Sequence, residues 1–513
     1  MKKYVDTGMA LVLMGLFILI GCLNINSYTL TEDSINEAIS DSTKAEAVIA
    51  SSAGMLNKPY TSKFTFVKDY KRSVAVANEQ LQKDSSETVD EINAPVVLKS
   101  SIQGPVEKHT TLFLLLILGL FTLGTIFISF GRYIMKPAGI KNDHVFEKPL
   151  TSIGWSGILF CLGLIGFYII LYWYPYLLAD WIKLVDPVSE YLNGGGADEN
   201  FLYGAIYSIV VLLLGFKMFL KYRHSRYQQI RTLSVTFFQL SFAFIIPEIL
   251  KFLKKPSVDL KNIWPLDYSF FWDTNISELI HNGKIGVFML VWGLILLVIA
   301  VPLFTYFFGK RWYCSWVCGC GGLAETAGDP FRQLSSKKLI AWKIERVLIY
   351  SILVIITVIT IVSVANYFSH NSILGSATNT LQEWYGFLIG SVFAGVIGTG
   401  FYPIMGSRVW CRFGCPLSAI FGIIQRYKSR FRITTNGGQC ISCGNCSTYC
   451  EMGIDVRSYA QKGQNIVRAS CVGCGICAEV CPRGVLKLEN GPEKGRINND
   501  PILIGNDSIK VRL

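Results

Sequence analysis

The apolar residues of this chain are gathered into long, nearly uncharged runs that are separated by short polar and basic segments. A helix needs about 17–25 apolar residues to cross a bilayer, and seven runs reach roughly that length while one near the N-terminus is shorter. The runs occupy roughly residues 8–23, 110–131, 153–175, 201–220, 232–250, 284–308, 346–366 and 385–405. This pattern predicts a polytopic α-helical membrane protein with about eight transmembrane helices.

Basic residues between the runs predict how the helices are oriented. Lys and Arg are enriched in the cytoplasmic loops of membrane proteins, and here they concentrate in alternate loops. The predicted cytoplasmic loops contain Arg132, Lys136, Lys141, Lys148, Lys221, Arg223, Arg226, Arg231, Lys310, Arg311, Lys337, Lys338 and Lys343. The outer loop 367–384 contains neither Lys nor Arg, although the outer segment 251–283 is mixed. We therefore expect a multi-pass protein of the bacterial inner (cytoplasmic) membrane whose C-terminal domain lies in the cytoplasm.

The first apolar run, within residues 1–24, has two interpretations. Two lysines precede it, and it ends in the string LIGC, so that Cys22 resembles the lipidated cysteine of a lipoprotein signal. The alternative, which we favour, is an uncleaved membrane anchor. In either case residues 25–108 lie outside the membrane. They are rich in Ser, Asp, Glu and Lys, which predicts a small domain or a partly disordered arm.

Composition and charge exclude several classes of protein. The 513 residues are 51% hydrophobic and 16% charged, which is too apolar for a soluble protein of this length. The net charge is +12, but the basic residues lie at the ends of apolar runs and form no recognisable nucleic-acid-binding module. The sequence also lacks a Gly-rich phosphate loop. We therefore expect a lipid bilayer as the environment, and neither nucleic acid nor nucleotide as a partner.

Eight of the fifteen cysteines lie in two runs near the C-terminus. In each run three cysteines are spaced by two residues and a fourth follows after three more, and the second run ends in Cys-Pro. Two such runs supply the thiolates of two [4Fe–4S] clusters, because the fourth cysteine of each run ligates the other cluster. The predicted ligands of cluster one are Cys440, Cys443, Cys446 and Cys481. The predicted ligands of cluster two are Cys471, Cys474, Cys477 and Cys450.

The alternatives for these cysteines are structural zinc and disulfides. Zinc ligands usually form two well-separated pairs, and disulfides are rare on the reducing cytoplasmic side. Glycines at 444, 473 and 475 allow the backbone to approach inorganic sulfur closely. The first run departs from the pattern only at Glu451, which stands where the second run has Pro482. The sequence therefore predicts an α+β two-[4Fe–4S] bacterial ferredoxin-like domain at 436–490 and a C-terminal tail at 491–513.

Two shorter cysteine motifs lie in the predicted transmembrane bundle, residues 109–435. Both read G-x-R-x-x-C-x3-C, one beginning at Gly309 and the other at Gly406, and each has an aromatic residue before its first cysteine. Each follows a helical hairpin, which predicts an internal repeat. The x3 spacing places both thiols of a pair on one helix face, so the two pairs form a candidate third iron–sulfur or metal site. Its ligands would be Cys314, Cys318, Cys411 and Cys415. Buried structural thiols are the alternative, and Cys320 is a further thiol that could replace a ligand.

Paired C-x3-C motifs at cytoplasmic helix ends followed by two ferredoxin runs resemble the NosR/NapH-type membrane polyferredoxins. Oxidase assembly proteins of the CcoG type share this plan. The resemblance covers roughly residues 230–490. The family's C-x3-C-P signature matches Cys411, Cys415 and Pro416, whereas Gly319 replaces the proline after the first pair.

The resemblance implies a function. Proteins of this type pass single electrons between the quinone pool or a cytoplasmic donor and a partner redox protein, as a quinol dehydrogenase or an electron-transfer subunit of an oxidoreductase would. The alternative that it allows is an electron donor or metal reductase in the maturation of a respiratory metalloenzyme.

Haem and flavin are not expected. The chain has no C-x-x-C-H string, and no two of its five histidines are placed within a span to ligate haem. They are His109, His144, His224, His281 and His370. Regulator-type members of the resembled family carry a flavin on an outer Thr attachment motif, but residues 25–108 contain no S-G-A-T-like string.

Two acidic residues are candidates for accepting a proton from a quinol. Glu248 and Asp180 lie near predicted helix ends, where a carboxylate is costly in lipid and often functional. The alternative, which we favour, is an interfacial residue that is already solvated or paired. Three basic residues precede the ferredoxin region and are expected to contact lipid headgroups or to dock an acidic electron carrier. They are Lys428, Arg430 and Arg432.

Overall fold

The computed structural model describes most of the chain and divides it into two compact units. The described residues are 2–39, 41–83, 94–135, 154–256, 258–369, 375–436, 439–490, 504–505 and 508–509. The first unit consists of Met1–Gly131 and Phe167–Ile209, and the second of Arg132–Gly166 and Val210–Leu513. Several residues discussed above lie outside the described ranges. They are Lys136, Lys141, Lys148, His144, His370 and most of the tail 491–513.

Within the described ranges, seven helices are long and apolar enough to cross a membrane. They are Lys2–Gly21, Thr110–Ile134, Trp155–Trp173, Glu199–Lys221, Arg226–Phe252, Gly283–Phe308 and Leu339–Phe368. They coincide with seven of the eight predicted windows, which confirms a mostly helical, multi-pass membrane protein.

The eighth window, 385–405, is helical but is not among these seven. An α-helix at Ser376–Tyr385 continues as a wide π-helix at Gly386–Ile397 and then as two short helices, Gly398–Gly400 and Tyr402–Met405. Glycine recurs throughout this stretch, and glycine weakens a regular helix.

In the first unit the N-terminal helix packs along a second apolar helix. Lys2–Gly21 lies against Thr110–Ser129, and the two backbones meet at Gly8 and Gly124. A Cβ atom added to Gly8 would lie 2.7 Å from the carbonyl oxygen of Gly124. Small residues at such a contact allow membrane helices to approach closely, so this pairing favours the anchor interpretation of the first apolar run.

The described part of residues 25–108 is a small folded domain, the first of the two alternatives predicted above. Its helices are Glu32–Ala38, Ser42–Ser51, Lys63–Lys83, Ala94–Ser100 and Pro105–Lys108. Its antiparallel sheet has the strand order Pro59–Tyr60, Ser27–Thr29, Ile102–Gln103. Side chains such as Leu30, Ile35 and Phe66 are fully buried in one core, to which Ala179 also belongs, and burial of apolar surface drives such folding.

Asp180 is fully buried in the first unit and is already paired. One carboxylate oxygen lies 2.5 Å from the Lys63 ammonium, and the carboxylate accepts hydrogen bonds from Asn26 at 2.7 Å and Tyr28 at 3.0 Å. Buried charges are normally compensated in this way. This contact set favours the structural interpretation of Asp180 over a role as proton acceptor.

The second unit contains all the cysteine motifs. Short helices at Arg311–Cys314, Gly319–Thr326, Val409–Phe413 and Pro416–Tyr427 carry or follow the paired cysteines. In the C-terminal region the strands Phe431–Thr435 and Leu486–Asn490 pair antiparallel, with Thr435 opposite Leu486. Between these strands lie the helices Asn445–Thr448, Val456–Gln461 and Ile476–Glu479. The strand pair therefore brackets both ferredoxin cysteine runs.

Candidate iron–sulfur sites

The two ferredoxin cysteine runs have the same backbone conformation. Gly444 and Gly475 directly precede the one-turn helices of the runs, with φ of 81° and 78°. Two positions earlier, Ser442 and Gly473 are also left-handed, with φ of 57° and 65°. Left-handed residues turn the chain sharply, which is the conformation that glycine adopts without steric cost. The glycines singled out in the sequence therefore shape both loops.

The cysteines predicted for cluster one surround a single cavity. Its lining includes Cys440, Cys443, Cys446 and Cys481, so the fourth thiol comes from the second run as the crossing rule predicts. Burial, together with the charges of Cys481, Cys443 and Cys440, raises the pKa of the Cys446 thiol to about 11. The four thiols are thus close enough to interact electrostatically, and their number suits a four-iron cluster.

The cysteines predicted for cluster two also converge, at a more buried position. Burial raises the pKa of Cys471 to about 11 and that of Cys474 to about 12. The pKa of Cys477 is raised further, first by burial and then by the charges of Cys474, Cys450 and Cys471. Cys450, from the first run, thus interacts with all three cysteines of the second. The Ile454 amide donates to the Cys450 sulfur at 3.4 Å, a type of contact that tunes cluster potentials.

Gly473 offers a test of this loop geometry. An added Cβ would lie 2.6 Å from the Cβ of Arg311, in addition to the cost of a left-handed alanine, about 1–2 kcal/mol. We expect Gly473→Ala to lower cluster content by more than Gly484→Ala. Gly484 is the matched control because its φ is +61° and an added Cβ would meet nothing within 4 Å. The measurement is iron and acid-labile sulfide per purified chain; equal losses in both variants would contradict close packing at Gly473.

The paired C-x3-C motifs also repeat at the level of the backbone. Gly309 and Gly406 end the preceding helices with φ of 64° and 94°. In each motif the amide of the second cysteine donates to the carbonyl of the aromatic residue before the first cysteine, at 2.8 and 2.9 Å. Cys318 and Cys415 then each lie directly before the next helix. The internal repeat predicted from the sequence is thus present in the local geometry.

The four paired cysteines are buried together. Burial raises the pKa of Cys314 to about 12, and Lys310, Cys318 and Cys411 also act on this pKa. The pKa of Cys415 is raised well above its usual value, first by burial and then by Cys411, Cys314 and Cys318. Thiols of both pairs are therefore buried within range of each other's charge.

Cys320 lies at the edge of the same site. A side-chain hydrogen bond with Cys320 lowers the pKa of Cys318 to about 6, and the charges of Cys411 and Cys415 act on Cys320 in turn. A fifth thiol is therefore close to the four cysteines of the two pairs.

Arg408, the arginine of the second paired motif, connects the paired cysteines to the ferredoxin region. Its Nη1 atom donates to the carbonyl oxygen of Cys314 at 3.1 Å and lies 3.8 Å from the sulfur of Cys411. Its Nη2 atom forms an ion pair with Glu451 at 2.9 Å, and Arg332 pairs with the other carboxylate oxygen at 2.6 Å. All three charged side chains are fully buried, so Arg408 has no access to bulk water.

Glu451 is the functional residue that the sequence analysis missed. Burial raises its pKa, but the charges of Arg408 and Arg332 outweigh this effect and hold the pKa at about 2. The carboxylate is therefore ionised at neutral pH. The signal in the sequence is the glutamate that follows Cys450, where the second run has Pro482.

The loop around Cys471–Cys474 is held by side chains from outside the ferredoxin region. The backbone carbonyl of Cys471 accepts a hydrogen bond from Gln425 at 2.8 Å, and that of Val472 accepts one from Ser315 at 2.7 Å. The Gly473 carbonyl accepts a hydrogen bond from Tyr227 at 2.7 Å. The Cys474 carbonyl accepts two, from Gln228 at 2.9 Å and from Arg231 at 2.5 Å. Buried carbonyl groups require such partners. The loop is thereby fixed against the paired-motif segments and the helix Arg226–Phe252.

The other acidic candidate and the basic residues before the ferredoxin region have ordinary surroundings. Glu248 forms an ion pair with Lys251 at 2.9 Å. Lys428 and Arg430 are exposed, and the Arg430 amide donates to the carbonyl of Tyr306 at 2.7 Å. These contacts favour the paired interpretation of Glu248.

Comparison with known protein families identifies the chemistry of these cysteines. Residues 439–486 match a 4Fe-4S dicluster domain, and residues 290–339 and 379–434 match a 4Fe-4S binding domain. The first region contains all eight ferredoxin cysteines, and each of the other two contains one paired motif. The predicted iron–sulfur binding is thus confirmed at the level of these domains.

Curated relatives are distant and match only part of the chain. It is 25% identical over 159 residues to YccM of Escherichia coli, which is named as an electron transport protein, covering 30% of this chain and 44% of the relative. It is 26% identical over 154 residues to the methylamine utilization ferredoxin-type protein MauN of Methylobacillus flagellatus, covering 30% and 52%. The chain thus spans about half the length of these relatives. No solved structure matches the chain.

Proposed function

We propose that this protein is a membrane-bound iron–sulfur protein that passes single electrons between the quinone pool or a cytoplasmic donor and a partner redox protein. One observation carries the proposal: cysteines of all three predicted sets belong to the same contiguous buried core. Electron transfer between centres requires that they lie close together in a water-poor environment. The names of the two relatives, an electron transport protein and a ferredoxin-type protein, support the same role.

Each set of cysteines would ligate one cluster. Cluster one would be held by Cys440, Cys443, Cys446 and Cys481. Cluster two would be held by Cys471, Cys474, Cys477 and Cys450. The third site, which we propose is also a [4Fe–4S] cluster, would be held by Cys314, Cys318, Cys411 and Cys415. When bound, such clusters accept and release one electron at a time at potentials that depend on burial and on hydrogen bonds to sulfur.

The exposure of the cysteines supports an order in which electrons pass through the three sites. Cys443 of the first set is exposed, whereas the four paired cysteines are buried. The first set is therefore suited to exchange electrons with a soluble partner, and the paired set with the membrane. Exposed arginines at 457 and 483 line the cavity of the first set, which suits an acidic partner. We propose that the ferredoxin domain, 436–490, lies in the cytoplasm and that residues 109–435 form the bundle in the inner membrane.

Reduction of the purified protein in proteoliposomes tests this function. We expect a quinol analogue to bleach the iron–sulfur absorbance, and the effect to be lost in a Cys411→Ala/Cys415→Ala variant that retains both ferredoxin clusters. If only a soluble low-potential reductant bleaches the clusters, the quinone pool is excluded and a cytoplasmic donor remains. If neither agent changes the absorbance or the EPR spectrum, electron transfer by this chain is contradicted.

A further inference from the structure

A polar cavity lies beside the paired cysteines, and most of the residues that line it are not cluster ligands in the function proposed above. Its volume is about 660 Å³, and Cys411 is among the residues that line it. Its walls are the first turns of the membrane helix Leu339–Phe368, the helix Pro416–Tyr427 and residues 467–470. Since Leu339–Phe368 begins here, the cavity lies at the end of a helix that is long and apolar enough to cross the bilayer.

Cations dominate the lining of this cavity. Four basic side chains line it, and they are Lys310, Arg346, Arg426 and Arg468. The one carboxylate in the lining, Glu345, is already paired with Arg412 at 2.8 Å. In the part of the chain that the structure describes, none of the four cations has a carboxylate partner. The three arginines of the cavity therefore have no carboxylate counter-charge in the described part of the chain.

Two of these cations contact the same aromatic ring. The guanidinium carbons of Arg346 and Arg468 lie 5.0 and 4.9 Å from the ring centroid of Trp342. The indole orients both groups through cation–π contacts, but it does not neutralise two positive charges. Guanidinium groups match the oxygen atoms of a phosphate in geometry and charge, so a phosphate group placed here would satisfy both.

The third cation is buried at the inner side of the cavity. Lys310 is 1% exposed, and its ammonium donates to the hydroxyl and carbonyl oxygens of Ser418 at 3.0 and 3.3 Å. An ammonium group has three donors, so one remains for another acceptor. The charge of Lys310 lowers the pKa of the Cys314 and Cys471 thiols, so these cysteines are its counter-charges when they are ionised.

Apolar residues complete the lining and indicate where the anion comes from. Ile349 and Ile423 belong to the two helices that form the walls, and Ile423 is 43% exposed. We propose that the cavity binds the phosphate group of an anionic phospholipid, with its acyl chains along Ile349 and Ile423. Arg346 and Arg468 would bind the phosphate oxygens, and the site would fasten the ferredoxin region to the membrane surface.

Lipid binding by the full-length protein tests this proposal. The detergent-purified chain is stripped of lipid and titrated with phosphatidylglycerol, and the bound lipid is counted by native mass spectrometry. We expect Arg346→Gln/Arg468→Gln to weaken binding at least tenfold. The control, Arg226→Gln, removes an exposed arginine at the start of another membrane helix and should leave binding unchanged. Iron content verifies that both variants are folded.

Further ligands distinguish the source of the anion. Phosphatidylcholine of the same chain length should bind at least tenfold more weakly than phosphatidylglycerol, and inorganic phosphate more weakly still. Phosphate binding as tight as that of phosphatidylglycerol would overturn the assignment to lipid. So would unchanged binding in the double variant, or a quinone analogue that binds the cavity while phosphatidylglycerol does not.

Discussion

Replacing Cys411 and Cys415 with alanine will remove about one third of the iron, from about twelve to about eight atoms per chain, because each cubane contains four. The two thiols belong to one motif, and the charges of Cys314 and Cys318 act on the pKa of Cys415, as does that of Cys411. Loss of two ligands from a four-ligand site will release its cluster and leave both ferredoxin clusters in place. The measurements are iron, acid-labile sulfide and the EPR spectrum of the reduced protein.

The control for this prediction is a buried cysteine outside the three sets. Cys161 is 2% exposed within the helix Trp155–Trp173, and Cys161→Ala should change neither the iron content nor the spectrum. Cys320→Ala tests whether Cys320 is a ligand or only a neighbour of the site, since only the loss of a ligand would lower the iron content. Unchanged iron in the Cys411→Ala/Cys415→Ala variant would mean that the paired thiols are structural, as the alternative in the sequence analysis holds.

The sequence assigns the cysteines to sets because their spacing directly reflects cluster geometry. Three cysteines at two-residue intervals wrap one cluster within a single loop, and the crossing of the fourth follows from the same rule. The membrane helices were predictable for an equally local reason, since each is a continuous apolar run. The stretch after Ser376 was less predictable, because its hydrophobicity gives no indication that the helix changes type near Gly386.

The contacts that join the sites could not be predicted, because they depend on residues far apart in the chain. Arg332 and Glu451 are separated by 119 positions and meet only when the ferredoxin region packs on the paired motifs. The same holds for the cavity around Lys310, which at least five separate stretches of the chain line. Arg408 was visible in the repeated motif, but nothing in the sequence identified the carboxylate that it contacts. Spacing rules thus predict ligands, whereas tertiary packing determines the charges around them.

Replacing Glu451 with glutamine will destabilise the ferredoxin region by about 3–5 kcal/mol, the usual cost of removing one partner from a buried ion pair. Glutamine keeps the shape of the side chain but removes the charge that faces both Arg408 and Arg332. The two guanidinium groups would then be buried with less negative charge beside them. We expect cluster two to be lost first on denaturation, because Cys450 is adjacent to Glu451 and the first set is held mainly by other residues.

Denaturant titration followed by iron–sulfur absorbance and EPR measures this effect. Glu479→Gln is the matched control, because its carboxylate is 24% exposed and accepts a hydrogen bond from Ser225 at 2.5 Å. A partly exposed carboxylate of this kind should contribute about 1 kcal/mol or less. If the midpoint of the Glu451→Gln transition equals that of Glu479→Gln, the Arg408–Glu451–Arg332 contacts do not hold the ferredoxin region to the paired motifs. A much lower midpoint for Glu451→Gln, with preferential loss of cluster two, would instead show that this carboxylate holds the ferredoxin region to the paired motifs.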